Sequence, residues 1–170
     1  MASGLEFGVD WYPEQWDEAL WAGDAKRMAG YGFTVARVME FAWTLVEPEP
    51  GRFDFSLFDR AIETLYKEGI KAIIGTPTAT PPAWLLDAAP DALRVSASGQ
   101  THDFGARRNL CYNSKAYREA ALRVTDAIAA RFGNDPRVAG FQVANEIGHE
   151  GSDRCYCGNC RAAWHAWLER

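Results

Sequence analysis

The 170 residues hold few groups suited to redox or metal chemistry: four cysteines, three histidines and three methionines. No apolar run approaches the roughly 18–20 residues of a membrane-spanning helix, which argues against a membrane partner. The opening stretch MASGLEFGVDWYPEQW has no basic segment followed by an apolar one, so no secretory signal is read. A cytoplasmic location is therefore expected, with cysteines kept reduced unless a metal holds them. Basic blocks are also missing. The longest basic run is Arg107-Arg108 and the net charge is −5, which argues against nucleic acid as a partner. No glycine-rich phosphate loop follows the first apolar segment, which counts against a nucleotide-binding fold.

Aromatic residues, in contrast, are abundant: seven Trp, nine Phe and six Tyr. Most such rings are core material, but Trp and Tyr also make amphipathic platforms for ligands. Four apolar segments read as strands: Phe7 to Tyr12, Thr34 to Met39, Lys71 to Thr76, and Val138 to about Val143. Helical spacing appears between them. It runs from about Trp16 to Gly30 with Leu20, Trp21, Ala25, Met28 and Ala29 near one face. It recurs from Ser56 to Gly69 with Phe58, Ile62, Leu65 and Tyr66, and from Ser114 to Phe132 with Tyr117, Ala121, Val124 and Ile128. Ser56 with Asp59 three residues on reads as an acidic capping box. The stretch from Pro77 to about Asn113 is long and irregular, with a short helical piece around Trp84 to Ala88. Such a length is usually functional.

Strands alternating with helices imply a parallel sheet joined by right-handed crossovers. Polar residues stand just beyond several strands: Asp10, Glu40, Thr76, Asn145 and Glu146. A (β/α)8 barrel, the TIM barrel, collects its active site from those ends, and a full barrel takes about 250 residues. Four strand–helix units make this chain the N-terminal half of one, about strands one to four.

Two motifs carry chemistry. In FQVANEIG, Phe141 to Gly148, a strand read as buried ends on Asn145-Glu146. A glutamate at a barrel mouth can serve as the general acid that protonates a glycosidic oxygen, its pKa raised by partial burial or a neighbouring carboxylate. The adjacent amide can donate to a sugar hydroxyl. By itself the dipeptide is more readily read as an amide satisfying loop backbone beside a solvated carboxylate. The second motif, CYCGNC, places Cys155, Cys157 and Cys160 within six residues, and Cys111 is the remaining cysteine. Four thiolates close a tetrahedral zinc site with no open position, hence a structural one. Free buried thiols or disulfides are the alternatives, and the missing secretory signal argues against disulfides.

The phrases GVDWYPEQW, RVMEFAWTLVEPEPGRFDF, GTPTATPPAWL, FGARRNLCYNS, FQVANEIG and CYCGNC occur in this order. Together they closely resemble the N-terminal half of the catalytic barrel of glycoside hydrolase family 42 β-galactosidases, over about Phe7 to Trp167. The resemblance implies retaining hydrolysis of terminal β-D-galactosides. Glu146 inherits the acid/base role, and Asn145, Arg107 and Arg37 inherit contacts with the sugar. It also supports the zinc cluster of Cys111, Cys155, Cys157 and Cys160, and the full-length protein is expected to be a homo-oligomer. The family's nucleophile lies on a later strand, outside these residues. Residues 1–170 alone are accordingly expected to be inactive. Asp10 and Glu40 are weaker candidates for a nucleophile than for hydrogen bonds to loops or to Arg37. Two rival functions stand beside this one: another β-glycosidase, and a non-catalytic, zinc-stabilised sugar-binding or assembly module. Trp11, Trp43 and Trp84 are candidate stacking platforms more readily explained by packing. His102 and His149 read as surface residues.

Overall fold

The computed structural model describes residues 5–105, 107–148 and 154–170. Four strands, β1 (Gly8–Asp10), β2 (Val35–Val38), β3 (Lys71–Gly75) and β4 (Val138–Gln142), form one sheet in the order β1-β2-β3-β4. Each neighbouring pair is parallel. The connections carry helices α1 (Glu18–Gly30), α2 (Trp43–Val46), α3 (Ser56–Lys67), α4 (Ala83–Ala88) and α5 (Lys115–Phe132), and α6 (Gly158–Leu168) follows β4. Sequential parallel order with a helix in each crossover is the expected wall of a barrel.

Side-chain alternation decides which face meets the helices. Ala36 and Val38 of β2 and Ala72 and Ile74 of β3 are fully buried. They share one core with Trp21, Ala25 and Met28 of α1, Phe58, Ala61, Ile62 and Leu65 of α3, and Val124, Ile128 and Phe132 of α5. The alternate positions, Arg37 and Ile73, line the opposite, concave side together with Gly8, Asp10 and Val35. Gly75 is required where β3 passes β2's exit: a Cβ there would lie 2.9 Å from Glu40 Cα and Cβ. The missing side chain thus lets two strand ends approach at the mouth.

Several local expectations are corrected. Ser56 is the first residue of α3 rather than its cap, and makes no capping box. The capping contact comes from Asp54, whose Oδ1 accepts from the Ser56 N–H at 2.9 Å. Leu20 and Tyr66 point to solvent, because each lies outside the arc its helix buries. Ala120 and Phe132, rather than Ala121, complete the buried stripe of α5. β4 is an edge strand among the described residues, so Phe141 and Val143 are 41% and 79% exposed rather than buried. The turn α2 was not legible in the sequence because four residues are too short to show a period.

Candidate functional site

The C-terminal ends of the strands bring together the polar residues that the sequence scatters. Asp10 and Arg37 are register partners of β1 and β2. Arg37 Nη2 lies 2.7 Å from Asp10 Oδ2 and 2.8 Å from Glu40 Oε2, while Nη1 donates to Gln142 Oε1 at 2.7 Å. Glu40 is 1% exposed and also accepts from the Tyr12 hydroxyl at 2.9 Å. Burial, followed by that carboxylate, pushes the Tyr12 hydroxyl above its ordinary pKa. Backbone geometry makes this packing feasible. Met39, fully buried, has a left-handed φ of 74°, which turns the chain sharply between β2 and Glu40. A non-glycine residue held there costs on the order of 1–3 kcal/mol, a strain found mostly where function fixes the geometry. Asp10 and Glu40 therefore share Arg37 as counter-ion, the hydrogen-bonding role weighed above against that of a nucleophile.

Glu146 lies just past β4, also with a left-handed φ, of 47°. Its Oε2 is 3.3 Å from Arg107 Nη2, and the side chain is 42% exposed. A guanidinium therefore stands beside this carboxylate. Arg107 lies over the Phe41 ring, 5.6 Å from its centroid, so one cation links the β2 and β4 ends with the long loop after β3. A cavity of about 210 Å³ opens beside it, with Phe41, Thr80, Phe104 and Arg107 in its wall. Asn145 is placed by Gln142, whose Nε2 donates to Asn145 Oδ1 at 3.3 Å. Gln142, Tyr12 and Phe41 were not singled out from sequence. The signal for Gln142 was there: a polar residue next to Phe141 in β4, on the face that strand alternation turns away from that ring.

The four cysteines converge at a second place. Their Sγ atoms lie within 4.8 Å of one another, with Cys111–Cys160 and Cys111–Cys157 at 3.4 Å. A tetrahedral metal with sulfur at about 2.3 Å requires sulfurs about 3.8 Å apart, so the donor set fits zinc. Burial pushes the Cys111 and Cys155 thiols up. Cys157 is pulled down: burial opposes this, but a backbone N–H from Cys160 and the three neighbouring sulfurs outweigh it. Val95 N donates to Cys155 Sγ at 3.4 Å, and Asn113 Nδ2 to Cys160 Sγ at 3.3 Å. Such contacts are typical of groups around a metal–thiolate cluster.

The three tryptophans are packing residues. Trp11 and Trp43 are buried, and Trp84 donates to Glu47 O at 3.1 Å with Arg123 over its ring. His102 is half-buried with Nε2 3.3 Å from Arg94 Nη2, correcting its reading as a surface residue. His149 lies outside the described residues. Among the described residues no helix is long and apolar enough to cross a membrane.

Comparison with known proteins matches residues 10–170 to the glycoside hydrolase family 42 model, described as beta-galactosidase. The beta-galactosidase BgaA of a Thermus species is 49% identical over 162 residues, 95% of this chain and 25% of that protein. The Thermus thermophilus beta-galactosidase is 48% identical over the same shares. Among solved structures, the beta-galactosidase of psychrophilic Marinomonas ef1 superposes with a TM-score of 0.93 at 38% identity, over 96% of this chain and 25% of that one. The Antarctic haloarchaeal enzyme of Halorubrum lacusprofundi gives 0.92 at 41%, over the same shares. The chain spans about a quarter of the length of the relatives it matches. With the parallel strand order, the Asn145-Glu146 strand end and the match over nearly every residue, the chain belongs to glycoside hydrolase family 42.

Proposed function

We propose that this chain supplies the acid/base half of a retaining β-galactosidase that cleaves terminal β-D-galactosides. Glu146 protonates the glycosidic oxygen as the bond breaks, and then deprotonates the water that releases the sugar from the nucleophile. The nucleophile belongs to a later strand of the barrel. Arg107 holds the Glu146 carboxylate in place, and Asn145, Arg107 and Arg37 meet the hydroxyls of the sugar. The observation that carries this reading is Glu146 at the end of β4, 3.3 Å from Arg107, in a chain of the β-galactosidase family. Exposed Phe141, Val143, Trp164 and Trp167 supply apolar surface for the remaining barrel strands and helices to cover.

The same reading includes one structural zinc ion held by Cys111, Cys155, Cys157 and Cys160. With four sulfur ligands the ion tethers the loop before α5 to the start of α6 and leaves no position for substrate. Thiols held by a metal suit a reducing compartment, which supports a cytoplasmic enzyme. The full-length protein is read as a homo-oligomer, which light scattering after size exclusion measures.

The test is Glu146→Gln in the full-length protein, assayed on two β-galactosides. Turnover should fall by about 10²–10⁴-fold with a poor leaving group, and far less in the bond-breaking step with a nitrophenolate that departs unprotonated. Equal, near-wild-type rates on both would remove Glu146 from the mechanism. Activity on β-glucosides or arabinosides in preference to galactosides would replace the substrate class.

A further inference from the structure

We propose that Gln142 is a positioning residue that fixes which end of the Asn145 amide faces a ligand. This rests on the reading in which Asn145 meets the sugar. A glutamine amide can present oxygen or NH₂ in either direction, and its neighbours decide which. Here the decision comes from Arg37. A guanidinium only donates, so the Gln142 atom 2.7 Å from Arg37 Nη1 is its oxygen. Arg37 cannot turn to release it, because Nη2 is held by Asp10 at 2.7 Å and by the buried Glu40 at 2.8 Å. Glu40 is fixed in turn by the Tyr12 hydroxyl at 2.9 Å.

The other end of Gln142 is therefore its NH₂ group, 3.3 Å from Asn145. Two NH₂ groups facing each other would repel, so Asn145 turns its oxygen toward Gln142 and its Nδ2 away. Polarity thus passes from a carboxylate pair through Arg37 and Gln142 to Asn145. The amide meets a ligand as a donor, suited to a sugar hydroxyl oxygen. Hydrogen bonds to hydroxyls beside the reacting carbon strengthen in the transition state of glycoside cleavage. The backbone around Gln142 is held independently: Thr76 N donates to Gln142 O at 3.0 Å, and the Thr76 hydroxyl donates to Val143 O. A change at the side chain of residue 142 therefore acts through the amide relay rather than through the strand.

The experiment uses the full-length protein with Gln142→Glu, Asn145→Ala and the double variant, each assayed on an aryl β-galactoside and its 2-deoxy analogue. Glutamate keeps the shape and still accepts from Arg37, but it cannot donate, so Asn145 must invert its amide. The expected result is a melting temperature within a few degrees of wild type and kcat/KM lowered about 10–100-fold on the galactoside. Less loss is expected on the deoxy analogue, and no further loss in the double variant relative to Asn145→Ala. If Gln142→Glu does not fold, Gln142→Met removes the donor without adding charge and carries the same expectation of lost coupling. Impaired Asn145→Ala with wild-type Gln142→Glu, or additive losses in the double variant, would overturn this inference alone. Wild-type activity of Asn145→Ala would overturn the role of Asn145 itself, and the inference with it.

Discussion

Arg107 and Glu146 meet at 3.3 Å although 38 residues of chain, including the whole of α5 and β4, separate them. The guanidinium also lies over the Phe41 ring, so it is held from both sides. Arg107→Ala removes a charge-assisted contact to the proposed proton donor together with the packing that aims it. We expect kcat/KM on aryl β-galactosides to fall at least about tenfold, with partial recovery in Arg107→Lys, which keeps the charge but not the planar fork. Steady-state kinetics of the two variants measure this, and equal rates for wild type and Arg107→Ala would detach Arg107 from the site.

Cys157 is buried at the centre of the thiol cluster, 3.4 Å from Cys111. Cys157→Ser should lower zinc below one per chain by elemental analysis and lower the melting temperature by several degrees, since metal binding adds to folding free energy. A chelator should shift wild type in the same direction and leave the variant unmoved. Protein purified without chelators and containing no zinc would contradict the proposed centre.

Glu47 is fully buried yet has a partner on each oxygen. Oε2 accepts from Trp43 Nε1 at 2.8 Å, and Oε1 accepts from Gly51 N at 2.8 Å and from Arg123 Nη2 at 2.8 Å. One carboxylate thus ties α2, the turn after it and α5 together. Glu47→Ala leaves the donors of Trp43, Gly51 and Arg123 without their acceptor, at an expected cost of about 2–4 kcal/mol. Glu47→Gln keeps the shape and should cost less. Chemical denaturation of the two variants ranks them, and a neutral Glu47→Ala would refute the tie.

Asp135 contributes a pH dependence whose sign can be worked out. Side-chain hydrogen bonds from Arg137 pull its carboxyl down to about 2, against the opposing effect of burial. A folded-state pKa below the unfolded value of about 3.9 means stability present above pH 4 and lost as the pH falls toward 2. The contribution is about 1–2 kcal/mol, discounted because Arg137 is partly solvated. Asp135→Asn should lower stability at pH 7 and flatten the acid limb between pH 4 and 2. An unchanged acid limb would show that the pair does not contribute.

The strand–helix alternation, the cluster of cysteines and the carboxylate just past β4 were legible because each is a local pattern. A period of two or 3.6 residues, or three thiols in six positions, needs no knowledge of what packs against it. Where a helix contacts solvent is less local. Leu20 and Tyr66 keep the period of their helices but fall just outside the arcs that the sheet and neighbouring helices cover. Ser56 and Asp59 have the spacing of a capping box, yet the preceding backbone lets Asp54 satisfy the Ser56 N–H first.

By itself, then, the sequence determined which segments become parallel strands, that Asn145 and Glu146 follow the end of the fourth, and which four thiols are available to a metal. Only the tertiary structure decided that Arg107 stands against Glu146, and that Arg37 reaches Gln142 across 105 residues. The reason is register. Parallel pairing aligns Asp10 with Arg37 and Gly75 with Gln142 at one end of the sheet, and no residue's own neighbourhood in the chain encodes that alignment.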